Sequence, residues 1–172
     1  RKLEALDIVT VRQGSGSYVG AMSLQPLVET LVLRSALDEI NGIQSLRSII
    51  DTRRALDLGI APGLLAAMKG NRDPRLWHLV DAMRIKAQAG RTCPAEDIAF
   101  HSALLEPLHN PLMSQLVSAM WLIHQARAPR LDTASKEHLL ASAEAHAAIL
   151  RACESGDVDA YKEAIEDHSL PL

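Results

Sequence analysis

Four residues in the second half of the chain carry side chains that bind transition metals: Asp97, His101, His146 and His168. Asp97 and His101 are four positions apart, so on a helix both side chains lie on one face, about one turn from each other. A carboxylate oxygen with an imidazole nitrogen suits Zn, Ni, Mn or Fe(II) better than Ca, which prefers oxygen ligands alone. Taken by itself, the pair is more often an ordinary pair on an exposed helix surface.

His146 changes that interpretation because it lies in the apolar run Ala145 to Leu150, where an imidazole needs a buried partner. His168 follows after a break at Gly156 and Asp157. Two helices joined by a tight turn run antiparallel, so the two histidines are expected to face one another. The alternative for His146 is a core histidine bonded to a backbone carbonyl. Together the four residues predict one divalent-cation site, with open coordination positions if the ion is octahedral; the competing interpretation is a histidine-rich core without metal.

Composition limits the other possibilities. The chain has 172 residues, enough for one main domain, and a net charge of −3, so any DNA contact must be local. Cys93 and Cys153 match no CxxC pattern and are expected to be reduced thiols. Since no apolar run approaches the ~20 residues of a membrane span, and no leader opens the chain, we expect a soluble, cytoplasmic protein without a membrane partner. A start at Arg1, within what resembles the end of a helix, predicts a fragment.

The pattern of apolar residues predicts an all-α protein, an antiparallel helical bundle preceded by a short β-hairpin. The hairpin has Ile8 to Val11 in its first strand, a turn at Gly14 to Gly16, and Tyr18 and Val19 in its second strand. Helices are predicted from apolar spacing and capping residues. Their predicted ranges are 24–37, 45–58, 64–68, 74–89, 94–105, 111–126, 136–154 and 158–168, with Gly59, Pro62 and Gly63 interrupting or kinking the chain.

The metal-ligand pattern resembles that of a known family. Asp97-x3-His101, His146, the run Ala148-Ile149-Leu150-x2-Cys153-x2-Gly156-Asp157-x2-Ala160, and His168 are similar to the FCD domain, the effector-binding domain of GntR-type bacterial transcription regulators of the FadR subfamily. Residues 51–57 (DTRRALD) are similar to the family's E-x-R-x-x-L-E segment, and residues 109–113 (HNPLM) to its S-G-N-P-x-L turn. The resemblance covers residues 22–172 and implies six to seven helices; the first predicted helix resembles the seven-helix branch.

Residues 1–21 resemble the end of the winged helix-turn-helix of the same regulators, namely the tail of the recognition helix followed by the wing. In such a wing, glycine turns allow close approach to DNA, and Arg12 or Gln13, beside Gly14 and Gly16, would contact a phosphate or the minor groove. Related wings usually have glycine where this chain has Asp7. Because the first two helices of that domain are absent, this chain alone is not expected to bind an operator specifically.

The resemblance also implies partners and roles. The cation would be zinc first, or nickel, and it would contact a small organic acid; a homodimer would transmit this binding to operator DNA. Arg53 would bind the effector carboxylate through its guanidinium fork, with a surface ion pair to Asp51 or Asp57 as the alternative. Asn110 is expected to be a helix cap first and a pocket residue second.

Two other classes remain open from the sequence. A metal-dependent, hydrolase-like enzyme with a helical-bundle site would use the cation to activate water, although the chain has no HExxH motif, nucleophile motif or glycine-rich phosphate loop. A purely structural dimerisation bundle would bind neither metal nor effector. A ligand-sensing module is the first prediction.

Overall fold

The computed structural model describes residues 1–37, 42–127 and 135–169. Within these ranges the chain is mostly helical with one antiparallel hairpin near its start, which confirms the predicted fold class. None of the helices in these ranges has a stretch long and apolar enough to cross a membrane. The elements are α1 (Lys2–Ala5), β1 (Val9–Arg12), β2 (Gly16–Val19), α2 (Gln25–Leu37), α3 (Gly42–Met68), α4 (Pro74–Gln88), α5 (Pro94–Leu104), α6 (Pro111–Arg127), α7 (Lys136–Ser155) and α8 (Val158–Ser169), with a 3₁₀ turn at Glu106–Leu108.

The hairpin pairs Val9 with Val19 and Arg12 with Gly16. Asp7, just before β1, has a positive φ of 55°, a backbone conformation that glycine adopts most easily. Its carboxylate compensates by accepting hydrogen bonds from the backbone N–H and the hydroxyl of Ser23, at 3.1 and 2.6 Å. These bonds also lower the pKa of Asp7. Two local hydrogen bonds therefore hold Asp7 in this conformation.

Side-chain caps begin four of the later helices, as the sequence predicts. A side-chain oxygen of each capping residue accepts a hydrogen bond from a backbone N–H of the first turn; these residues are Asp73, Asn110, Ser135 and Asp157. Cys93, the fifth residue in such a position, makes no side-chain cap bond. Gly156 ends α7 in the left-handed conformation, with φ 72°, and so turns the chain directly into α8.

An interruption or a kink is predicted at Gly59, Pro62 and Gly63, and the interruption is wrong. Helix α3 continues from Gly42 to Met68 with Pro62 in its interior. An interior proline removes one helical hydrogen bond and costs about 3 kcal/mol. Burial of several large apolar side chains on either side of it, among them Ile60, Leu64 and Leu65, offsets that cost and keeps the helix continuous.

The main core lies between α3, α4, α5, α7 and α8. Its fully buried members include Leu64, Val80, Phe100, Ile149 and Tyr161, one from each of these helices. A smaller cluster packs α2 on α6 through Val28, Ala119, Met120 and Ile123. The main core brings together α3, α5, α7 and α8, the helices that carry the predicted metal ligands and Arg53.

Candidate metal centre

The four predicted ligands meet at one place. Helix α5 supplies Asp97 and His101, α7 supplies His146 and α8 supplies His168. Each offers one ligand atom, and these four atoms lie within 4.8 Å of one another. His146 Nε2 lies 2.7 Å from Asp97 Oδ1 and 3.0 Å from His168 Nε2, and His101 Nε2 lies 3.4 Å from Asp97 Oδ1 and 3.3 Å from His168 Nε2. We call these four residues the Asp-His cluster.

Packing around the cluster fixes the rings of two histidines. His101 and His146 are buried, and the ring of Phe100 stands edge-on to both, with centroids 5.5 and 4.9 Å apart. His146 Nδ1 lies 2.7 Å from the carbonyl oxygen of Ser142, to which it donates its proton. The predicted alternative for His146, a bond to a backbone carbonyl, is therefore present together with the cluster. Such a bond selects the tautomer whose Nε2 lone pair is available to a cation.

Electrostatics set the protonation states that ligation requires. Burial alone would raise the pKa of Asp97, but hydrogen bonds and charge interactions with His101 and His146 outweigh it and hold the pKa well below its usual range. Burial lowers the pKa of His101 to about 4, against the opposing effect of Asp97. Burial, with electrostatic interactions with His146 and Arg53, also holds the pKa of His168 well below its usual value. At neutral pH the carboxylate is ionised and these two imidazoles are neutral, as metal binding needs.

The donor set fits a cation. If His146 is neutral with its proton on Nδ1, its Nε2 lone pair faces the carboxylate of Asp97 across 2.7 Å, and two acceptors oppose each other. A cation between them removes this conflict. Two adjacent octahedral ligands, each ~2.1 Å from a metal, lie roughly 3.0 Å apart, close to the separations in the cluster. The chemistry and the spacing of the residues therefore both suit a transition-metal ion.

Arg53 of α3 contacts the cluster through His168. Its guanidinium is buried, with Nη2 2.9 Å from His168 Nδ1 and Nε 3.6 Å from Asp57 Oδ2. The sequence predicts a surface ion pair of Arg53 with Asp51 or Asp57 as the alternative role; the structure pairs Arg53 with Asp57, and both side chains are buried. Burial raises the pKa of Asp57 to about 6, although Arg53 opposes this shift. The four-residue spacing of Arg53 and Asp57 on a helix predicts that they can pair. Their burial does not follow from this spacing, because it involves α8, whose His168 and Tyr161 contact the two residues.

The other predicted site residues lie elsewhere. Asn110 is exposed, and its side chain accepts a hydrogen bond from Met113 N at 3.1 Å, which is the cap role. Arg12 lies over the ring of Tyr18, 5.0 Å from its centroid. The exposed hairpin tip contains Gln13, Gly14 and Gly16, and both glycines have positive φ, at 78° and 107°. The interpretation of this hairpin as a wing, and its contact with DNA, stay predictions.

Comparison with known proteins agrees with this architecture. The FCD domain family model matches residues 48–170. The chain is 40% identical over 119 residues to NedR of Micromonospora viridifaciens, named as a transcriptional regulatory protein, with 69% of this chain and 86% of the relative covered. It is 21% identical over 164 residues to the galactonate operon transcriptional repressor of Escherichia coli K12, with 95% and 72% covered.

A solved structure has the same fold. Streptococcus agalactiae GntR superposes with a TM-score of 0.66 at 26% identity, covering 99% of this chain and 76% of that protein. The family and these relatives are transcriptional regulators rather than enzymes, so the enzyme alternative is not favoured. The chain belongs to the FCD domain family and is part of a GntR-type transcription regulator.

Proposed function

We propose that residues 22–172 form the sensing domain of a FadR-subfamily regulator that binds one divalent metal ion and one small organic acid. The observation that carries the proposal is the convergence of three imidazole nitrogens and one carboxylate oxygen, from three helices, within 4.8 Å. Helix α2 precedes the matched family segment but packs on α6, which supports including it in this domain.

Zinc is the first candidate for the ion and nickel the second, because three nitrogens and one oxygen suit borderline metals. Asp97, His101, His146 and His168 would hold it. Bound there, the ion would supply positive charge and, if octahedral, two open positions for oxygen atoms of an acid. Because His101 and His168 are neutral and Asp97 is ionised at neutral pH, these three groups need not lose a proton to bind the ion.

The effector would be a small carboxylate such as lactate, pyruvate, glycolate, a sugar acid or a dicarboxylate. Arg53 places a second positive charge beside His168, and its N–H groups match the two oxygens of a carboxylate. The name of the galactonate operon repressor supports a sugar acid within this class. Asn110 remains a proposed pocket residue, with its cap role supporting the start of α6.

The whole regulator would act in the cytoplasm as a homodimer on operator DNA. Residues 1–21 would be the remnant of its winged helix-turn-helix, with Arg12, Gln13, Gly14 and Gly16 next to the DNA backbone. The acid would act as a switch only by binding one arrangement of the dimer more tightly than the other. This requirement distinguishes a sensor from a structural bundle.

A thermal-shift screen of carboxylates tests the proposal. The zinc-loaded protein, the chelator-treated protein and an Arg53→Gln variant would be compared, with Arg54→Gln as the exposed neighbouring control. At least one acid is expected to raise the melting temperature of the zinc-loaded parent and of Arg54→Gln, and to have little effect on the other two samples. The acid should be recovered unchanged. Turnover of the acid, or no response to any acid in zinc-loaded protein, would contradict the proposal.

A further inference from the structure

The contact between Arg53 and His168 limits which tautomer His168 can adopt. A guanidinium can only donate hydrogen bonds, so His168 Nδ1, 2.9 Å from Arg53 Nη2, must accept. A neutral imidazole that accepts at Nδ1 carries its proton on Nε2. That proton points into the Asp-His cluster, where His146 Nε2 is 3.0 Å away and His101 Nε2 is 3.3 Å away.

Metal ligation requires the other tautomer. The Nε2 atom of His168 is the one that faces the other ligands, so it must give its lone pair to the ion. A neutral imidazole bound through Nε2 keeps its single proton on Nδ1. That N–H would then oppose the N–H of Arg53 across the same 2.9 Å, and two donors would face each other.

We propose that a cation in the Asp-His cluster switches His168 to its Nδ1–H tautomer and thereby breaks the contact of His168 with Arg53, so that an anionic ligand can take the place of His168 at Arg53 Nη2. The proton is conserved: it leaves Nε2, which bonds the ion, and the neutral ring carries a proton on Nδ1. This inference rests on the proposed function. It adds that the metal ion must bind before Arg53 can bind the carboxylate.

Asp57 determines how far Arg53 can move. Its carboxylate lies 3.6 Å from Arg53 Nε, and both side chains are buried. Tyr161 holds the backbone of Asp57 by donating its hydroxyl proton to the Asp57 carbonyl oxygen, at 3.3 Å. Loss of the His168 contact would therefore leave the contact of Arg53 Nε with Asp57 in place, which keeps the guanidinium beside the cluster. Asp57 is a positioning residue in this arrangement.

Nitrogen-15 NMR of the histidine rings tests the switch directly. Uniformly labelled protein would be recorded after chelation and after addition of one equivalent of Zn²⁺, with His168 signals assigned from a His168→Asn variant. We expect His168 to have its proton on Nε2 in the metal-free protein and on Nδ1 in the zinc form, and the Arg53 Nε signal to shift with it. The exposed histidines His78 and His138 serve as internal controls that should not change.

The outcomes separate the two proposals. If Zn²⁺ shifts the ring signals of His101 and His146 but His168 keeps an unprotonated Nδ1, the switch is overturned while the metal site stands. If Zn²⁺ leaves the ring signals of all three cluster histidines unchanged, the metal site and the switch both fail. A second measurement uses acetate as the probe: it should shift the Arg53 Nε signal in the zinc form and at least tenfold less in the chelated form, and equal shifts would overturn the switch.

Discussion

At the residue scale, the cluster is a set of groups whose protonation states depend on burial. Asp97 stays ionised because two histidines contact it, and His101 stays neutral because its ring is enclosed by Phe100 and the helices around it. Without a cation, protonation of His101 or His168 would add a positive charge to a buried site, which their lowered pKa values oppose. The free energy of unfolding of the metal-free protein must therefore depend on pH.

The sign follows from the pKa of His101. Its pKa is about 4 in the folded protein and 6.5 ordinarily, so between these values the unfolded chain binds more protons and stability falls as pH falls. Chelator-treated protein should lose about 2 kcal/mol per such histidine between pH 7.5 and pH 5. Asp57 opposes this loss by about 1 kcal/mol, because its pKa is raised to about 6 and the folded chain takes up its proton first. Urea unfolding at the two pH values measures this loss. A His101→Asn variant should lose less, and a metal-free parent that is more stable at pH 5 would contradict the account.

The buried pair of Arg53 and Asp57 predicts a second residue-scale effect. Arg53→Met leaves the Asp57 carboxylate buried without its cation, which should cost about 3–5 kcal/mol of stability. The adjacent Arg54 is the matched control, because its contact with Asp51, at 3.7 Å, is exposed to solvent. Arg54→Met should change the free energy of unfolding by less than about 1 kcal/mol. Equal effects of the two substitutions, measured by urea unfolding, would show that the Arg53 pair is not buried in solution.

At the element scale, local sequence signals determine where most helices begin and end. Asp73, Asn110, Ser135 and Gly156 were all identifiable as caps or terminators, because their side chains or backbone conformations act within one turn. The continuity of α3 through Pro62 was not predictable in this way. It depends on packing against α6, α7 and α8, which are distant in sequence.

Two glycines give opposite predictions at this scale. Gly156 has φ 72°, and an added Cβ would meet the Lys69 side chain at 2.7 Å, so Gly156→Ala should destabilise the protein by about 1–2 kcal/mol. Gly59 lies on the exposed side of α3 with no atom within 4 Å of an added Cβ, so Gly59→Ala should stabilise it by about 0.5–1 kcal/mol. Denaturant unfolding of both variants tests the pair. A stabilising Gly156→Ala substitution would contradict the left-handed end of α7.

At the scale of the whole molecule, three separate helices must pack correctly before the site exists. The spacing of Asp97 and His101, and the symmetry of His146 and His168 about Gly156, predicted the four cluster residues from sequence. The approach of α3 to α8 did not follow from spacing, so the Arg53 contact with His168 emerged only from the fold. The Asp-His cluster therefore connects α5, α7 and α8, and a bound ion should hold these three helices together.

This connection predicts stabilisation by metal. Zn²⁺ should raise the melting temperature of chelator-treated parent protein, since an ion that binds only the folded chain stabilises it by mass action. A His146→Ala variant should show a much smaller increase. An equal increase in both proteins would indicate zinc binding outside the cluster.

The most direct test of the central claim counts metal. Elemental analysis of the purified protein, reconstituted with zinc or nickel, would be compared with the double variant His101→Ala, His146→Ala and with the exposed-histidine control His78→Ala, His138→Ala, each shown to be folded by circular dichroism. We predict about one divalent ion per chain in the parent and the control, and almost none in the cluster variant. No metal in the reconstituted parent, or equal metal in a folded cluster variant, would contradict the account.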